Sequence, residues 1–589
     1  MRALALLALP LLVACDGRPR TVPSDPDARV TGPYVATFDL TGGAPEQASG
    51  GFLGVGPRDR TFDQVLRELR LVRKDKDAKG IFVRFGELGM ARAYELGRAF
   101  GDARAAGIPV HCHADGLSNA AYMAAAIGCS KIFISPAGEV ETVGLAAQII
   151  YLRKLLSEEL KLSIDILQVG KFKGAEEPLT RDGPSPEARA SLEGYLVDIR
   201  KTWVSTVEKA RGAECAKAME DGPYGPERAQ ERHLIDGVAY ADDVTTKLRE
   251  ETKAVREKVV FGRGAVKGDD EDLGELVRSI AGAGGGRGPV ALVRASGSIG
   301  MGGGGGIGGD SGISESELSP VLEKLENDDS VKAVVLRIDS PGGSALASDL
   351  LWHRLMRIRK KKPLVVSVGE MAASGGYYLA SSGNAIIADP VSLLGSIGVV
   401  GGKVGIGNGL ERFGVHVEVF PAKKDDPKAG NRAAYMSPFV SWDEDTKVRV
   451  RDSMESIYHL FLARVAEGRG ITAEKVAENA EGKIFSGEEA KRLGMVDELG
   501  GLEDAIAKAR SLAKLPADAR VHVISPGGGA LEQILGGGGG DARAPISGVE
   551  GLALRALLPS STASFVSGYA PLLRGERALT TLPFGIVVQ

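Results

Sequence analysis

The chain has 589 residues, more than a single domain usually holds, so we expect at least two domains. Hydrophobic residues make up 43% and charged residues 25%, the balance of a soluble globular protein, which excludes a chain that is disordered throughout. The 73 Lys and Arg residues against 77 Asp and Glu residues give a net charge of −4, and this near-neutrality argues against a nucleic-acid partner.

The N-terminal residues have the features of a lipoprotein signal. Residues 1–14 carry one positive charge followed by an apolar run too short to span a bilayer, which predicts a signal peptide. Small residues stand directly before Cys15, as in a bacterial lipobox, so we expect cleavage before Cys15 and its acylation. The acyl chains would hold the protein at a membrane, with the Pro- and charge-rich residues 15–31 as a tether. The alternative is a plain secretory signal in which this cysteine stands by chance.

One structural plan occurs twice along the chain. Short apolar runs rich in β-branched residues predict buried strands, and amphipathic stretches predict helices between them. The matched segments are strands at 79–85 and 332–338, helices at 91–106 and 347–360, strands at 108–110 and 363–368, and strands at 131–135 and 385–389. Alternating strands and helices predict a parallel sheet with right-handed crossovers in each copy.

Glycine-rich segments separate and follow the two copies. We assign residues 32–280 to the first copy and residues 289–525 to the second, joined by a Gly-rich linker at 281–288. Residues 526–589 begin with another Gly-rich segment and are interpreted as an appended tail.

The cysteines do not predict a disulfide framework or a metal site. The four cysteines are Cys15, Cys112, Cys129 and Cys215. They form no CxxC pair and are too few for a disulfide scaffold. His111 and His113 flank Cys112, but successive side chains of a strand point to opposite faces, so three ligands cannot converge there. We interpret this triplet as the end of a strand.

The second copy alone carries residues suited to nucleophilic catalysis. The sequence DSPGGS at 339–344 follows a predicted strand, and its paired glycines let backbone N–H groups point into a cleft, as an oxyanion hole requires. Ser374 lies at a strand-to-helix junction among small residues, where the helix dipole and the Gly375 N–H favour a developing oxyanion. Asn119 occupies the corresponding position in the first copy, which is therefore expected to lack a nucleophile.

A serine nucleophile needs a base, and the sequence offers no obvious histidine for this role. None of the seven histidines lies in the stretch immediately downstream of Ser374, so a Ser-His-Asp triad has no evident partner by sequence, although a spatial one stays open. A buried lysine is the other option, because burial lowers its pKa from about 10.4 by several units and leaves an amine that accepts the serine proton.

These motifs together resemble the signal peptide peptidase A, or protease IV, family in its long, duplicated form. The resemblance rests on DSPGGS, MAASGGYY, GSIGV, the tandem repeat and the motifs within residues 469–497, and covers roughly residues 33–515. It implies an α/β fold of two tandem Clp protease/crotonase-like (spiral ββα) domains. It also implies a Ser/Lys dyad that uses no histidine, metal or cofactor.

The resemblance assigns roles to individual residues. Ser374 matches the nucleophile, and Gly343 and Gly375 match the oxyanion-hole donors. Lys173 lies in FKGAEEP, where the family has a motif like YKSAVEP, so the resemblance implies that the first copy supplies the base. Ser396 is a candidate to hydrogen-bond and orient the lysine amine, with an ordinary turn serine as the alternative.

Two other lysines compete with Lys173 for the role of base. Lys171 would share its face in an extended segment. Lys423 stands at the corresponding position of the second copy, but its neighbours Lys424, Asp425 and Asp426 indicate a solvated loop that would not lower a lysine pKa.

The function implied is a membrane-anchored serine endopeptidase that hydrolyses cleaved signal peptides and other unfolded or membrane-associated peptides. The resemblance places it in the bacterial cell envelope facing the periplasm, as a homo-oligomer similar to a tetramer, and leaves open whether the dyad forms within or between subunits. The first alternative is a catalytically degenerate peptide-binding lipoprotein, against which the intact serine, glycines and lysine argue. The second is a crotonase-type acyl-CoA enzyme, against which the signal peptide argues, since CoA is cytoplasmic.

Overall fold

The computed structural model describes most of both predicted copies. The described residues are 31–47, 60–263, 265, 288–302, 312–524 and 579–581. The predicted signal peptide, the lipidation residue Cys15, and nearly all of the predicted tether, linker and tail lie outside them.

The first copy contains a parallel sheet, as its sequence pattern predicts. Its strands are β1 (Tyr34–Leu40), β2 (Ala78–Phe85), β3 (Val110–Ser118), β4 (Lys131–Glu141), β5 (Ser163–Val169), β6 (Gly237–Val238) and β7 (Arg256–Phe261). All except β5 form one sheet in the order β6-β4-β3-β2-β1-β7, with every neighbouring pair parallel. Strand β3 begins at Val110, the last residue of the strand predicted at 108–110, and β4 extends beyond its predicted end at 135. Both strands continue to pair past a bulge, where Gly116 lies opposite Glu139.

Helices cover the sheet of the first copy. They are α1 (Phe62–Lys74), α2 (Met90–Ala105), α3 (Asn119–Gly128), α4 (Glu177–Thr180), α5 (Pro186–Arg211), α6 (Ala213–Ala218), α7 (Pro226–Glu231) and α8 (Ala241–Thr252), with a π-helical turn at Lys154–Glu159. Helix α1 buries apolar residues at helical spacing, including Val65, Leu69 and Val72. Helix α3 is almost entirely buried, which explains its run of alanines: small side chains let it pack closely on several sides.

The second copy repeats the plan around a larger sheet. Its strands are β8 (Val290–Ser296), β9 (Ile299–Gly300), β10 (Ile313–Ser314), β11 (Ala333–Ser340), β12 (Gly342–Ser344), β13 (Leu364–Ala373), β14 (Ala385–Ala388), β15 (Leu393–Gly395), β16 (Val399–Gly405), β17 (Ile484–Ser486), β18 (Glu498–Leu499), β19 (Val521–Ile524) and β20 (Leu579–Thr581). Eight of these strands form one sheet, in which β17-β15-β13-β11-β8-β19 are successive neighbours and β14 and β18 extend from β13. Apart from the β15–β17 pair, its strands run parallel.

The helices of the second copy flank this sheet. They are α9 (Glu315–Asn327), α10 (Ala345–Lys361), α11 (Gly375–Ala380), α12 (Gly407–Glu411), α13 (Ala429–Ala433), α14 (Glu444–Arg469), α15 (Ala473–Ala477), α16 (Gly487–Arg492) and α17 (Leu502–Leu512). Ser344, which follows the paired glycines, caps α10 by accepting a hydrogen bond from the Ala347 N–H at 3.3 Å. The helix predicted at 347–360 is therefore confirmed and begins two residues earlier.

A third sheet joins the two copies. Its strand order is β10-β9-β12-β20-β16-β5, so a strand of the first copy pairs with one of the second. Strands β5 and β16 run antiparallel, with Val169 opposite Val399 and Ser163 opposite Gly405. This pairing fixes the chain that follows β5 next to the chain that precedes β16.

A buried cluster of charges also connects the copies. Arg337 on β11 is 2% exposed and donates hydrogen bonds to Glu46 at 2.8 Å and Glu95 at 3.0 Å, both in the first copy. Glu370 on β13 accepts hydrogen bonds from the backbone N–H groups of Ala91 (3.0 Å) and Arg92 (3.1 Å), at the start of α2. A carboxylate at a helix N-terminus is stabilised by the helix dipole. Charged contacts therefore hold the two copies together in addition to the pairing of their strands.

The structure corrects the interpretation of the cysteines. Cys112 on β3 and Cys129 at the end of α3 form a disulfide, although the sequence predicted no disulfide framework. The two residues are only 17 apart, and the turn from α3 into β4 brings their Cα atoms to 5.9 Å. The triplet from His111 to His113 lies within the first half of β3 rather than at its end.

None of the helices in the described residues combines the length and the apolar character that a membrane span requires.

Candidate active site

Ser374 lies where strand β13 ends and helix α11 begins. Its backbone has φ +53° and ψ −113°, a conformation that residues other than glycine rarely adopt. It is held there by two hydrogen bonds of 2.8 Å, from its own N–H to Gly395 O and from the Tyr378 N–H to its carbonyl. The side chain is fully buried. Such strain persists only where the surroundings enforce it, and sharp strand-to-helix turns of this kind present a nucleophile.

Lys173, from the first copy, reaches this serine. Its Nζ lies 2.7 Å from Ser374 Oγ, 2.8 Å from Ser396 O and 3.0 Å from Ser396 Oγ. The lysine side chain is fully buried, although lysine is among the residues that proteins bury least. The contact is made within one chain, between side chains 201 residues apart in sequence.

Backbone contacts with the second copy fix the position of Lys173. The Phe172 N–H donates to Glu481 O at 2.8 Å, and within the second copy the Gly482 N–H donates to Ile397 O at 2.8 Å, which holds Gly482 against the lysine. Gly482 has φ +85°, and a Cβ at this position would meet the backbone of Lys173 and lie 2.8 Å from its Cβ. Gly398 also borders the lysine, since a Cβ there would lie 3.1 Å from Lys173 Cδ. Glycine is therefore required on both sides of the lysine stem.

Burial determines the electrostatics of Lys173. Loss of contact with water lowers the pKa of the Lys173 amine well below its ordinary value of 10.5. A neutral amine has two N–H bonds and one lone pair. The carbonyl and hydroxyl oxygens of Ser396 can accept the two N–H bonds, which leaves the lone pair for the O–H of Ser374.

Ser396 shapes the other side of the site. Its own φ is +52°, and its N–H donates to Lys483 O at 2.6 Å. This conformation turns both its carbonyl and its hydroxyl oxygen toward the same Nζ atom. The residue is fully buried.

The two candidate oxyanion-hole glycines occupy constrained positions. Gly343 lies on β12 with φ +155°, and a Cβ there would lie 2.6 Å from Ile299 N and closer still to Ile299 O. Gly375 is the first residue of α11, where the helical pattern provides no acceptor for an N–H group. Both glycines are buried. Position 343 requires glycine because of its backbone conformation and because a side chain has no space there. Gly375 lies at the helix N-terminus next to Ser374, where the helix dipole favours negative charge.

Comparison with known proteins identifies the family. The sequence profile of Peptidase family S49 matches residues 102–256 and 357–516, one segment in each copy. The chain belongs to peptidase family S49. It is 30% identical over 475 residues to Protease 4 of Salmonella typhi, and the aligned region covers 78% of this chain and 73% of that protein. The S49 chain is accordingly a serine-type peptidase.

A second relative agrees with this assignment. The chloroplastic serine protease SPPA of Arabidopsis thaliana is 30% identical over 399 residues, covering 67% of this chain. This chain spans 57% of that protein's length. ClpP1 from Listeria monocytogenes is a structural match with a TM-score of 0.22 and 17% identity, covering 36% of this chain and 92% of that one.

The two competing lysines of the S49 chain lie elsewhere. Lys171 is exposed, with its Nζ over the ring of Phe172 at 5.4 Å from the ring centroid. The Lys423 side chain is 65% exposed, and its Nζ lies 3.7 Å from an Asp426 carboxylate oxygen. Neither environment removes the amine from water, in contrast to that of Lys173.

In the first copy the corresponding position is structural. Asn119 is the first residue of α3, as Gly375 is of α11, so the helix begins one residue earlier relative to the matched sequence. The side-chain amide of Asn119 donates to Gly144 O at 2.9 Å, and its backbone carbonyl accepts a hydrogen bond from the Trp203 indole at 3.1 Å. These contacts hold the start of α3 against α5 and against the loop at Gly144, and they provide no hydroxyl.

The histidine–cysteine triplet has no part in this site. His111 lies 3.4 Å from Glu251, and His113 contacts Ala239 O at 3.2 Å. In the part of the chain that the structure describes, no three or more His, Cys, Asp or Glu side chains are grouped so as to hold a metal ion.

The sequence did not indicate Gly398 and Gly482 as neighbours of the lysine. Both belong to short motifs that carry the family resemblance, GSIGV at 395–399 and GKIFSG at 482–487. A glycine whose space is taken up by another part of the chain has no local sequence signal, because the requirement comes from a residue more than 200 positions away.

Proposed function

We propose that this peptidase hydrolyses peptide bonds with Ser374 as nucleophile and Lys173 as general base. The observation that carries the proposal is the 2.7 Å approach of a fully buried lysine amine to the oxygen of a buried serine in strained conformation. Neither group reacts readily in water, where the serine keeps its proton and the amine is protonated. Removal of water makes the amine neutral and able to accept the serine proton.

The first half of the reaction forms an acyl-enzyme. Ser374 Oγ attacks the carbonyl carbon of the scissile bond while its proton passes to Lys173 Nζ. Negative charge develops on the carbonyl oxygen, and we assign its stabilisation to the N–H groups of Gly343 and Gly375. The C–N bond then breaks, and the lysine ammonium gives its proton to the leaving amine.

The second half repeats these steps with water. Lys173 accepts a proton from the water molecule as its oxygen attacks the acyl carbon, and returns it to Ser374 Oγ as the ester bond breaks. The product is a peptide with a new carboxyl terminus, and the dyad returns to its starting state.

Ser396 is proposed to orient the lysine throughout this cycle. Its two oxygens, at 2.8 and 3.0 Å from Nζ, accept the N–H bonds of the amine, so the lone pair is directed at Ser374. We regard Ser396 as a positioning residue because it acts through the lysine.

The relatives support a wider proposal about location and substrates. Bacterial Protease 4 proteins are among the matches, and the sequence before Cys15 resembles a lipobox. We propose that the protein is anchored in the bacterial cell envelope by acylated Cys15 and faces the periplasm. Cleaved signal peptides and other unfolded or membrane-associated peptides are its proposed substrates, and a homo-oligomer, tetrameric by resemblance, is its proposed assembly.

Four variants test the catalytic proposal against its alternatives. Ser374→Ala and Lys173→Ala are each expected to lower turnover of an internally quenched peptide by about 10⁴-fold or more, while Lys171→Ala and Lys423→Ala keep near-normal turnover. A fluorophosphonate probe should label the wild-type protein and fail to label Ser374→Ala. Near-normal turnover by Lys173→Ala would remove the lysine from the mechanism. Loss of turnover in Lys423→Ala alone would move the base to the second copy.

A further inference from the structure

Glu481 of the second copy lies alongside the segment that carries Lys173. The Lys171 N–H donates to Glu481 Oε2 at 3.2 Å, and the Phe172 N–H donates to Glu481 O at 2.8 Å. One residue therefore accepts two successive N–H groups of the first copy, one with its side chain and one with its main chain. Gly170 precedes these donors, and a Cβ there would lie 2.8 Å from the carbonyl carbon of Glu481.

The same short run of the second copy also contacts Ser396. The Lys483 carbonyl accepts the Ser396 N–H at 2.6 Å, and the Lys483 ammonium lies over the ring of Phe172, 5.1 Å from the ring centroid. Residues 481–483 thus contact both the lysine segment and the serine whose oxygens lie against the amine of Lys173. A shift of this run would move the proposed base relative to the residue that orients it.

Tyr458 on α14 holds Glu481 in place. Its hydroxyl accepts a hydrogen bond from the Glu481 N–H at 3.3 Å and donates one to Glu481 Oε1 at 3.4 Å. Burial, followed by the charge of Glu481, raises the pKa of Tyr458 to about 12, so the hydroxyl keeps its proton. Glu481 has φ +63°, a strained conformation for a residue other than glycine, and such strain persists only where the surroundings enforce it.

We propose that Glu481 is a positioning residue, which holds the main chain at 171 and 172 so that the Lys173 amine reaches Ser374 and stays out of water. It acts through the lysine, because its contacts are to the backbone of that segment and the lysine amine itself contacts the serine. The inference rests on the proposed function, since the lysine needs this placement only if it is the base. A misplacement of about 1 Å can cost about 10²-fold in rate.

The substitutions Glu481→Gln and Glu481→Ala isolate the accepted hydrogen bond. Glutamine keeps a carbonyl oxygen for the Lys171 N–H, whereas alanine removes the acceptor, and both keep a Cβ at this positive φ. For an internally quenched peptide, Glu481→Ala is expected to lower kcat by about ten- to hundredfold with KM within about twofold, and Glu481→Gln to stay within about threefold of the wild-type kcat. Glu478→Ala is the matched control, because the Glu478 carboxylate pairs with the exposed Lys475, and it should keep kcat.

The pH–rate profile adds a readout that a loss of stability alone would not move. Water admitted to the lysine raises the pKa of its amine toward its ordinary value. The acid limb of kcat should therefore move to higher pH by about half a pH unit or more in Glu481→Ala and stay in place in Glu481→Gln. Tyr458→Phe should move the limb the same way with a smaller loss of kcat, and should add no further loss to Glu481→Ala, since both act on one contact.

Urea unfolding across a pH series follows the same amine without catalysis. The pH at which a protein with Lys173 begins to gain stability relative to Lys173→Met marks the pKa of the folded lysine. This point should lie at higher pH in the Glu481→Ala background and be unchanged in the Glu481→Gln background. The measurement decides on Glu481 even if Lys173→Ala keeps normal turnover, in which case the proposed function alone fails.

The two measurements must agree for the inference to stand. An unchanged kcat in Glu481→Ala, or an unchanged pKa of its Lys173, would overturn it, and a lower kcat with the pKa unchanged would assign Glu481 a structural role only. Equal losses in the glutamine and alanine variants would also overturn it, because the accepted hydrogen bond would then not be what holds the lysine.

Discussion

The protonation state of Lys173 can be measured through folding, independently of catalysis. Burial lowers the pKa of this amine well below 10.5 in the folded protein, whereas in the unfolded chain it regains its ordinary value. Between the two pKa values the unfolded state binds one more proton than the folded state. The contribution of this site to the free energy of unfolding therefore rises as the pH rises through that window and falls as the pH falls.

The substitution Lys173→Met removes the titration and keeps most of the volume. The methionine loses the hydrogen bonds to Ser374 and Ser396, which costs about 1–3 kcal/mol at every pH. The substitution also removes the proton uptake that accompanies unfolding of the wild type. Lowering the pH by one unit inside the window therefore lowers the free energy of unfolding of the wild type by about 1.4 kcal/mol relative to that of Lys173→Met. Two units of pH within the window change the difference by about 2.7 kcal/mol, which is comparable to the constant loss.

Urea unfolding followed by circular dichroism, in steps from pH 9.5 to pH 6.5, measures this slope for wild type and Lys173→Met. Lys171→Met is the matched control, because it removes an exposed lysine two residues away, and its difference from wild type should stay constant across the series. If Lys173→Met and wild type instead gave parallel curves over the whole range, the buried amine would carry its proton as an ordinary lysine does. The proposed base would then be lost.

Two further substitutions test residues that support the lysine. Gly482→Ala places a methyl group against the backbone of Lys173 and is expected to lower kcat/KM by about 10²-fold. Gly470→Ala is the control, because Gly470 also has a positive φ but has open space around it. This control is expected to cost about 1 kcal/mol of stability and to keep kcat. Equal activities in these two variants would contradict the packing argument. Ser396→Ala should lower kcat/KM about tenfold and move the acid limb of the pH–rate profile to lower pH, since the hydroxyl oxygen accepts a stronger bond from the ammonium than from the amine. An unchanged profile and rate would assign Ser396 a structural role only.

Local patterns in the sequence predicted much of the architecture. Alternation of apolar, β-branched runs with amphipathic stretches predicted β2, β11, α2 and α10 close to their observed bounds, because a buried strand and a two-faced helix each leave a periodic signal. The match between the copies predicted that this plan occurs twice, and the S49 profile matches once in each. The junction at Ser374 was visible as a strand followed by small residues, since a tight turn next to a helix excludes bulky side chains.

Contacts between distant segments left weaker signals or none. The disulfide between Cys112 and Cys129 depends on how α3 returns to the sheet, so spacing alone did not reveal it. Strand β20 belongs to a segment interpreted as an appended tail, because three residues carry too little periodicity to predict a strand. Similarly, Lys171 and Lys173 are indistinguishable by residue type and differ in the structure because one is exposed and the other fully buried.

The sequence by itself therefore determined the two parallel-sheet copies, the family and the serine at the end of β13, since these follow from local periodicity and short motifs. The family resemblance of the segment around Lys173 implied this lysine, but residue patterns alone did not separate it from Lys171 or Lys423, and only the tertiary structure brings its amine to that serine. Pairing of β5 with β16 brings Lys173 across from the other copy, and the surrounding backbone removes it from water. The physical reason is that a lysine becomes a base only through desolvation, and desolvation depends on every segment packed around it rather than on its neighbours in sequence.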